Sequence, residues 1–273
     1  MISAKSGSKN KLIYTVLLLL CVVGFWLFEN FYTPDTYTAP EGESTKTGIP
    51  KYFMPSSTTK AIVTHDHFML SYNETYEQAE WVAYMLKKEH LTYDDRKRPY
   101  FIEDPKVKTK SADWRNYKRS GYDRGHLCPA GDRRFTKYAY DETFYTSNIS
   151  PQNREFNAGI WNELEAKVRQ WVKKDKTLFV VTGGVLKDGL DEIGDEDVAV
   201  PELFYKIVAK GNPENLKMIA FLMPNKPSNK SIQEFVVKVD RIEKLTGIDF
   251  FNELPNPLEN KLEKEIKLAN WNL

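Results

Sequence analysis

A chain of 273 residues can bury one large core, and 41 % hydrophobic against 28 % charged residues is a globular balance that excludes disorder throughout. The net charge of +1 names no partner, but residues 95–137 hold thirteen Lys/Arg against six Asp/Glu, which leaves −6 for everything else. Such a run is ordinarily a solvated face; this one surrounds a histidine, which suits a phosphate-rich substrate. The two cysteines, Cys21 and Cys128, are too separated in sequence and setting for an internal disulfide or a zinc site.

Residues 1–11 are polar and carry Lys5, Lys9 and Lys11 with no acid. Leu12 to Phe28 then runs without a charge, long enough at about 1.5 Å per residue to reach the lower limit for a transmembrane helix. Trp26 and Phe28 suit an interfacial anchor. A cleaved signal peptide competes, but it needs small residues at its cleavage site, and Glu29-Asn30-Phe31-Tyr32 follows instead. The expectation is a signal anchor over residues 12–28, with residues 1–11 cytoplasmic and the body extracytoplasmic, periplasmic or at the cell surface. Cleavage would release a secreted protein. Residues 29–58, rich in Thr, Ser, Pro and Gly, read as a flexible linker, and residues 59–273 as the folded domain.

Within that domain, Ala61 to Tyr72 suggests strands. Thr75 to Glu89 suggests a helix striped by Ala79, Val82, Ala83 and Leu86, with His90 explained by the helix dipole at its end. His65 and His67 stand two apart; no further ligand is near, so strand surface is preferred over a metal site. Lys106 to Arg119 reads as loop. Gly121 to Phe135, GYDRGHLCPAGDRRF, is a loop with His126 among arginines, where a histidine is either structural or a general base. Cys128 beside it is a weak candidate nucleophile, and Arg133 and Arg134 suit either phosphate or plain surface. Asp141 to Gln152 reads as a short strand ending in a polar turn. Phe156 to Val172 is helical, with Ile160, Trp161, Leu164, Val168 and Trp171 on one stripe. Asn157 and Glu165 are eight apart on it, about 80° beyond two full turns, so both can border one cleft. Three strands follow at Leu178 to Thr182, Val198 to Ala209 and Leu216 to Met223. A capping box, Ser231 to Glu234, opens a helix running to Gly247, and Leu258 to Ala269 makes the last helix. The mixture argues for one α+β domain.

So arranged, the chain resembles the DNA/RNA non-specific endonucleases of the ββα-metal class. The likeness rests on Asp123-Arg124-Gly125-His126, on Thr143 to Gln152 and on Phe156 to Glu165, in order and spacing. Weaker similarity extends it through Trp81 to Tyr84, Arg98 to Asp104, Val198 to Lys206 and Phe221 to Asn225. The resemblance implies a ββα-metal fold with a central, mostly antiparallel sheet flanked by helices. It implies His126 as general base, Asn157 as the one direct protein ligand of Mg²⁺ (Mn²⁺ substituting), and Glu165 holding the metal's water shell. Asn148 would steady His126, and Arg124 would meet phosphate with Arg98 or, nearby, Arg96. The partners implied are DNA and RNA, gripped by phosphate rather than base; monomer and homodimer both stay open. Leu127-Cys128-Pro129 and the N-terminal anchor depart from the family pattern. Two other readings stand beside it: a non-catalytic nucleic-acid-binding protein, and a phosphodiesterase on another anionic substrate.

Overall fold

Residues 6–32, 34, 36–39 and 47–273 are described by a computed structural model, in two compact units, residues 1–35 and 36–273. The first contains helix α1 (Ser6–Phe31), whose stretch Lys9–Phe31 is long and apolar enough to cross a membrane. It overruns the uncharged segment at both ends, since flanking polar residues form helix as readily as apolar ones.

The second unit is built on a sheet. In chain order its strands are β1 (Ile62–Thr64), β2 (Met69–Asn73), β3 (Gln78–Lys87), β4 (Tyr122–His126), β5 (Ile149–Asn153), β6 (Thr177–Gly184), β7 (Glu192–Ile193), β8 (Val198–Ala199), β9 (Leu203–Lys210), β10 (Lys217–Pro224) and β11 (Val236–Val237). Seven of them form one sheet in the order β1-β2-β3-β6-β9-β10-β11, every neighbouring pair antiparallel. β4–β5 and β7–β8 are separate two-stranded pairs. The helices are α2 (Lys137–Glu142), α3 (Arg154–Phe156), α4 (Asn162–Asp175), α5 (Val239–Thr246) and α6 (Asn256–Lys264).

β3 corrects the helix expected over Thr75 to Glu89. Its residues Gln78 to Tyr84 are all buried, because the sheet is covered on both faces. Val82, Tyr84 and Leu86 enter one core, with Phe156, Trp161 and Leu164; Trp81 and Ala83 enter the other, with Ile242, Phe250 and Phe53. A strand buried on both faces shows no alternation, and its apolar run then passes for a helical stripe. A bulge opposite Ser71 takes up Glu80, whose carboxylate accepts hydrogen bonds from the Ser71 hydroxyl and the Thr58 amide.

The domain's contacts begin before Thr59. Lys51–Phe53 form a 3₁₀ turn, and Phe53, 1 % exposed, stacks on Phe179 at 3.9 Å between ring centroids. Linker-like composition concealed aromatic anchors, Phe53 and also Tyr37, whose ring lies 5.0 Å from that of Tyr145. Near the other end, the capping box at Ser231 is present, yet it opens only a 3₁₀ turn (Ile232–Phe235). The β-branched pair Val236–Val237 then adds an edge strand to β10 before α5 starts. The last helix stops at Lys264, and the chain continues to place Trp271 edge-on to Trp171, 4.8 Å between centroids, in the opposite core.

His65 and His67 are not on the surface. His65 is 1 % exposed, its Nε2 2.7 Å from Asp104 Oδ2, and Glu142 lies against both histidines. Burial alone would lower the His65 pKa, but the two carboxylates outweigh it and raise it. His90 ends a short 3₁₀ turn (Lys88–His90) after β3 rather than the expected helix; it stacks on Phe135 at 4.2 Å, and burial, then Arg133 and Lys87, push it down to about 3.

Phe53→Ala should cost about 3–5 kcal/mol, read by urea unfolding, and a fragment beginning at Thr59 should lose at least as much against one beginning at Thr47. Equal stability of the two fragments would restore the linker reading.

Candidate active site

Gly121 to Phe135 is not all loop. Tyr122–His126 is β4, paired antiparallel with β5 so that His126 faces Ile149 and Asp123 faces Gln152. Helix α2 and a 3₁₀ turn (Thr146–Asn148) precede β5, which reverses the strand-then-turn order expected over Asp141 to Gln152. Two strands followed by the α3–α4 run make the ββα unit. Gly125 is required there: a Cβ on it would meet the Gln152 side chain at 2.2 Å. Asn225 fixes the unit to the main sheet, donating to the Pro151 and Pro201 carbonyls and accepting from the Asn153 amide at 2.7 Å.

His126 ends β4 with its ring 4.8 Å from Phe144, edge to face, and 5.6 Å from Phe101. Its Nε2 is buried and has no hydrogen-bond partner. Burial, then the charges of Arg98 and Arg124, hold the imidazole down to about 3, so it is neutral across the physiological range. Both guanidiniums lie over Phe101, Arg124 at 4.8 Å and Arg98 at 5.2 Å, and Arg98 also covers Phe144. Neither forms a salt bridge among the described residues. Arg96 is turned away, paired with Asp94 at 2.8 Å and donating to the Arg134 carbonyl. Geometry therefore favours Arg98 over Arg96 as the neighbour of His126.

Asn148 makes no hydrogen bond to the imidazole among the described residues. Its Oδ1 accepts the Cys128 amide at 2.8 Å, its Nδ2 donates to the Cys128 and Thr143 carbonyls, and its own carbonyl accepts from Leu127. It clamps the backbone directly after His126, so any steadying acts through the chain. Cys128 is fully buried and its thiol is pushed up to about 12 by burial, which removes it as a nucleophile and shields it from oxidants. Arg133 is also fully buried, donating to the Asp132, His67 and Met85 carbonyls, and Arg134 donates to the Asp94 carbonyl; Arg133 is thus neither surface nor phosphate grip.

On the helical run, Asn157 donates from Nδ2 to Asp123 Oδ2 at 3.0 Å. That bond fixes the amide so that its Oδ1, a hard neutral oxygen, stays available to a divalent cation. Asn157–Trp161 form a π turn with a kink at Gly159 (φ −97°, ψ −113°). The kink breaks the regular rotation between Asn157 and Glu165, so the straight-helix spacing read from the sequence does not hold across it. Glu165, its side chain 14 % exposed, is pushed up to about 7 by burial and by Asp132, with Lys206 and Arg169 opposing. The donor set, a neutral amide oxygen on a side chain bonded to the Asp123 carboxylate, fits a cation that keeps most of its own water.

Three residues around Glu165 escaped the sequence reading. Arg169 lies 3.8 Å from Glu165 and 2.9 Å from Asp132. Lys206, fully buried on β9, has no hydrogen-bond partner; its ammonium stands 4.6 Å over the Trp161 ring, and burial lowers its pKa. The i,i+4 spacing of Glu165 and Arg169 was a usable signal; Asp132 and Lys206 come from distant segments and had none.

Comparison with known proteins agrees with this arrangement. A family model described as DNA/RNA non-specific endonuclease matches residues 46–256. The mitochondrial nuclease EXOG of Danio rerio is 36 % identical over 78 % of this chain and 67 % of its own length. The mitochondrial nuclease of Saccharomyces cerevisiae is 34 % identical over 80 % and 74 %. The solved complex of EndoG with EndoGI superposes with a TM-score of 0.67 at 32 % identity, covering 81 % of this chain and 95 % of that one. With a ββα unit carrying His126 and Asn157 as the fold's centre, the chain belongs to the DNA/RNA non-specific endonuclease family and is a nuclease of that metal-dependent class.

Proposed function

We propose that the protein is a membrane-tethered, Mg²⁺-dependent endonuclease that cuts DNA and RNA with little sequence preference, its catalytic domain on the extracytoplasmic side. The observation that carries the chemistry is a neutral imidazole beside two guanidiniums that form no salt bridge among the described residues. Residues 12–28 are the tether, and the lysines before them and acids after them support the orientation.

In this reading Arg98 and Arg124 grip the equatorial oxygens of one phosphate by charge-assisted hydrogen bonds, which select no base. His126, uncharged, takes the proton of the attacking water. Asn157 would hold the ion through Oδ1, and Glu165, as a carboxylate, would accept hydrogen bonds from the ion's waters. When bound, Mg²⁺ stabilises the charge that grows on the leaving oxygen. Mn²⁺ shares the preference for oxygen donors and should substitute. Asn148 holds the backbone beside His126, and Arg169 and Lys206 oppose the protonation of Glu165.

Full-length protein in detergent should degrade plasmid and RNA with Mg²⁺ and leave both intact with EDTA. His126→Ala should lower kcat by about a hundred- to ten-thousandfold while DNA retention on a gel persists; full activity of that variant would remove the base assignment. Intact substrate at ample Mg²⁺ would leave a binding protein as the better reading.

The pH profile separates the two titrating groups. Glu165 acts ionised, so activity should fall as pH drops through about 7 at low Mg²⁺. Raising Mg²⁺ should move this limb to lower pH, because a nearby cation favours the carboxylate. A limb fixed near the ordinary histidine value at every Mg²⁺ concentration would assign it to His126 instead. N-terminal sequencing of isolated protein should recover residues 12–28; a start between residues 29 and 45 would show cleavage.

A further inference from the structure

The C-terminal part of the domain gathers five carboxylates that the reaction does not use. α5 supplies Asp240 and Glu243, the loop after it supplies Asp249, and α6 supplies Glu259 and Glu263, which stand four apart on one helix side. Ligand oxygens of Asp240, Glu243 and Glu263 lie within 4.8 Å of one another, and so do those of Asp249, Glu259 and Glu263. Glu263 belongs to both triads.

Glu263 is only 6 % exposed, and its Oε1 is buried without a hydrogen-bond partner, as is the Oε1 of Glu259. Among the described residues, no lysine, arginine or histidine forms a salt bridge with any of the five. Glu243 accepts the Phe250 amide at 2.9 Å and shares a hydrogen bond with Glu263, but a buried carboxylate facing other carboxylates and no basic side chain lacks the counter-charge that would offset its lost hydration. Oxygens that close can share one divalent cation, and calcium, with about six to eight oxygen ligands at about 2.3–2.6 Å, suits such a crowd of carboxylates. Calcium also accepts several carboxylates in irregular geometry, whereas magnesium keeps its waters.

We propose that Glu263 anchors a calcium site, formed with Glu259 and Asp249 on one side and Glu243 and Asp240 on the other, which ties α6 to α5 and to the loop between them. Asp249 is positioned for this by its backbone, which exchanges two 2.8 Å hydrogen bonds with Ser56. Glu259 and Glu263 lie beyond residue 256, where the family match ends, whereas Asp240, Glu243 and Asp249 lie within it. It does not rest on the proposed function.

The test uses full-length Asn157→Ala in detergent, which sets aside metal at the catalytic site. After EDTA treatment and equilibrium dialysis against Ca²⁺, this protein should bind at least one ion per chain. Millimolar Ca²⁺ should raise its melting midpoint by about 3 °C or more. Glu263→Gln on that background should bind at least one ion fewer and lose the calcium shift, while melting in EDTA no lower than its parent, because a repelling charge is gone. Glu259→Gln, at the more exposed ligand, should likewise lose the shift, and it decides the matter if Glu263→Gln does not fold. No Ca²⁺ bound by Asn157→Ala, or unchanged binding and shift in these variants, would overturn the proposal and leave protons holding the cluster together.

Discussion

Keeping one imidazole uncharged among cations is the constraint around which the catalytic half of this fold is arranged. His126 needs a free lone pair, and a nuclease also needs positive charge at the same place. Both demands are met by one arrangement: Phe101 and Phe144 pack on the half-buried ring and shield part of it from water, and Arg98 and Arg124 repel a proton from it. In the proposed mechanism a base held near 3 is weak, but a phosphate between the guanidiniums would cancel much of the charge that depresses it and restore its basicity.

The rest of the site serves that placement. β4 has to run close against β5 for His126 to emerge beside Phe144, and only glycine at position 125 leaves room for Gln152. Asn148 holds the chain on the far side of His126, and Asn225 holds β5 to the sheet. The π turn and its kink at Gly159 interrupt the helix between Asn157 and Glu165, the two residues proposed for the metal half of the site. The bond from Asn157 to Asp123 links the two halves, because Asp123 is on the same strand as His126.

Much of this was legible in the sequence. Asp123 to His126, Asn148, Asn157 and Glu165 stand in a fixed order and spacing, and the helix from Phe156 shows its stripe because only one of its faces is buried. The elements that misled were those whose burial is not one-sided. β3 is covered on both faces, so its residues carry no period, and Phe53 anchors a stretch whose composition is otherwise that of a tether. The buried network of His65, His67, Asp104 and Glu142 joins segments far apart in the chain, as does the group of Asp132, Arg169 and Lys206 around Glu165. Charges of that kind look like surface in a sequence, because the partner that makes burial tolerable is not a neighbour in the chain.

The most direct measurement is an NMR titration of the four histidine rings in the metal-free protein, with the His126 signal assigned by its loss in His126→Gln. The account predicts that His126 stays neutral as pH falls well past 5, toward about 3, while its shift toward a higher pKa on mutating Arg98 or Arg124 reports their charge. A His126 that titrates near the ordinary histidine value, and does so regardless of Arg98 and Arg124, would contradict it.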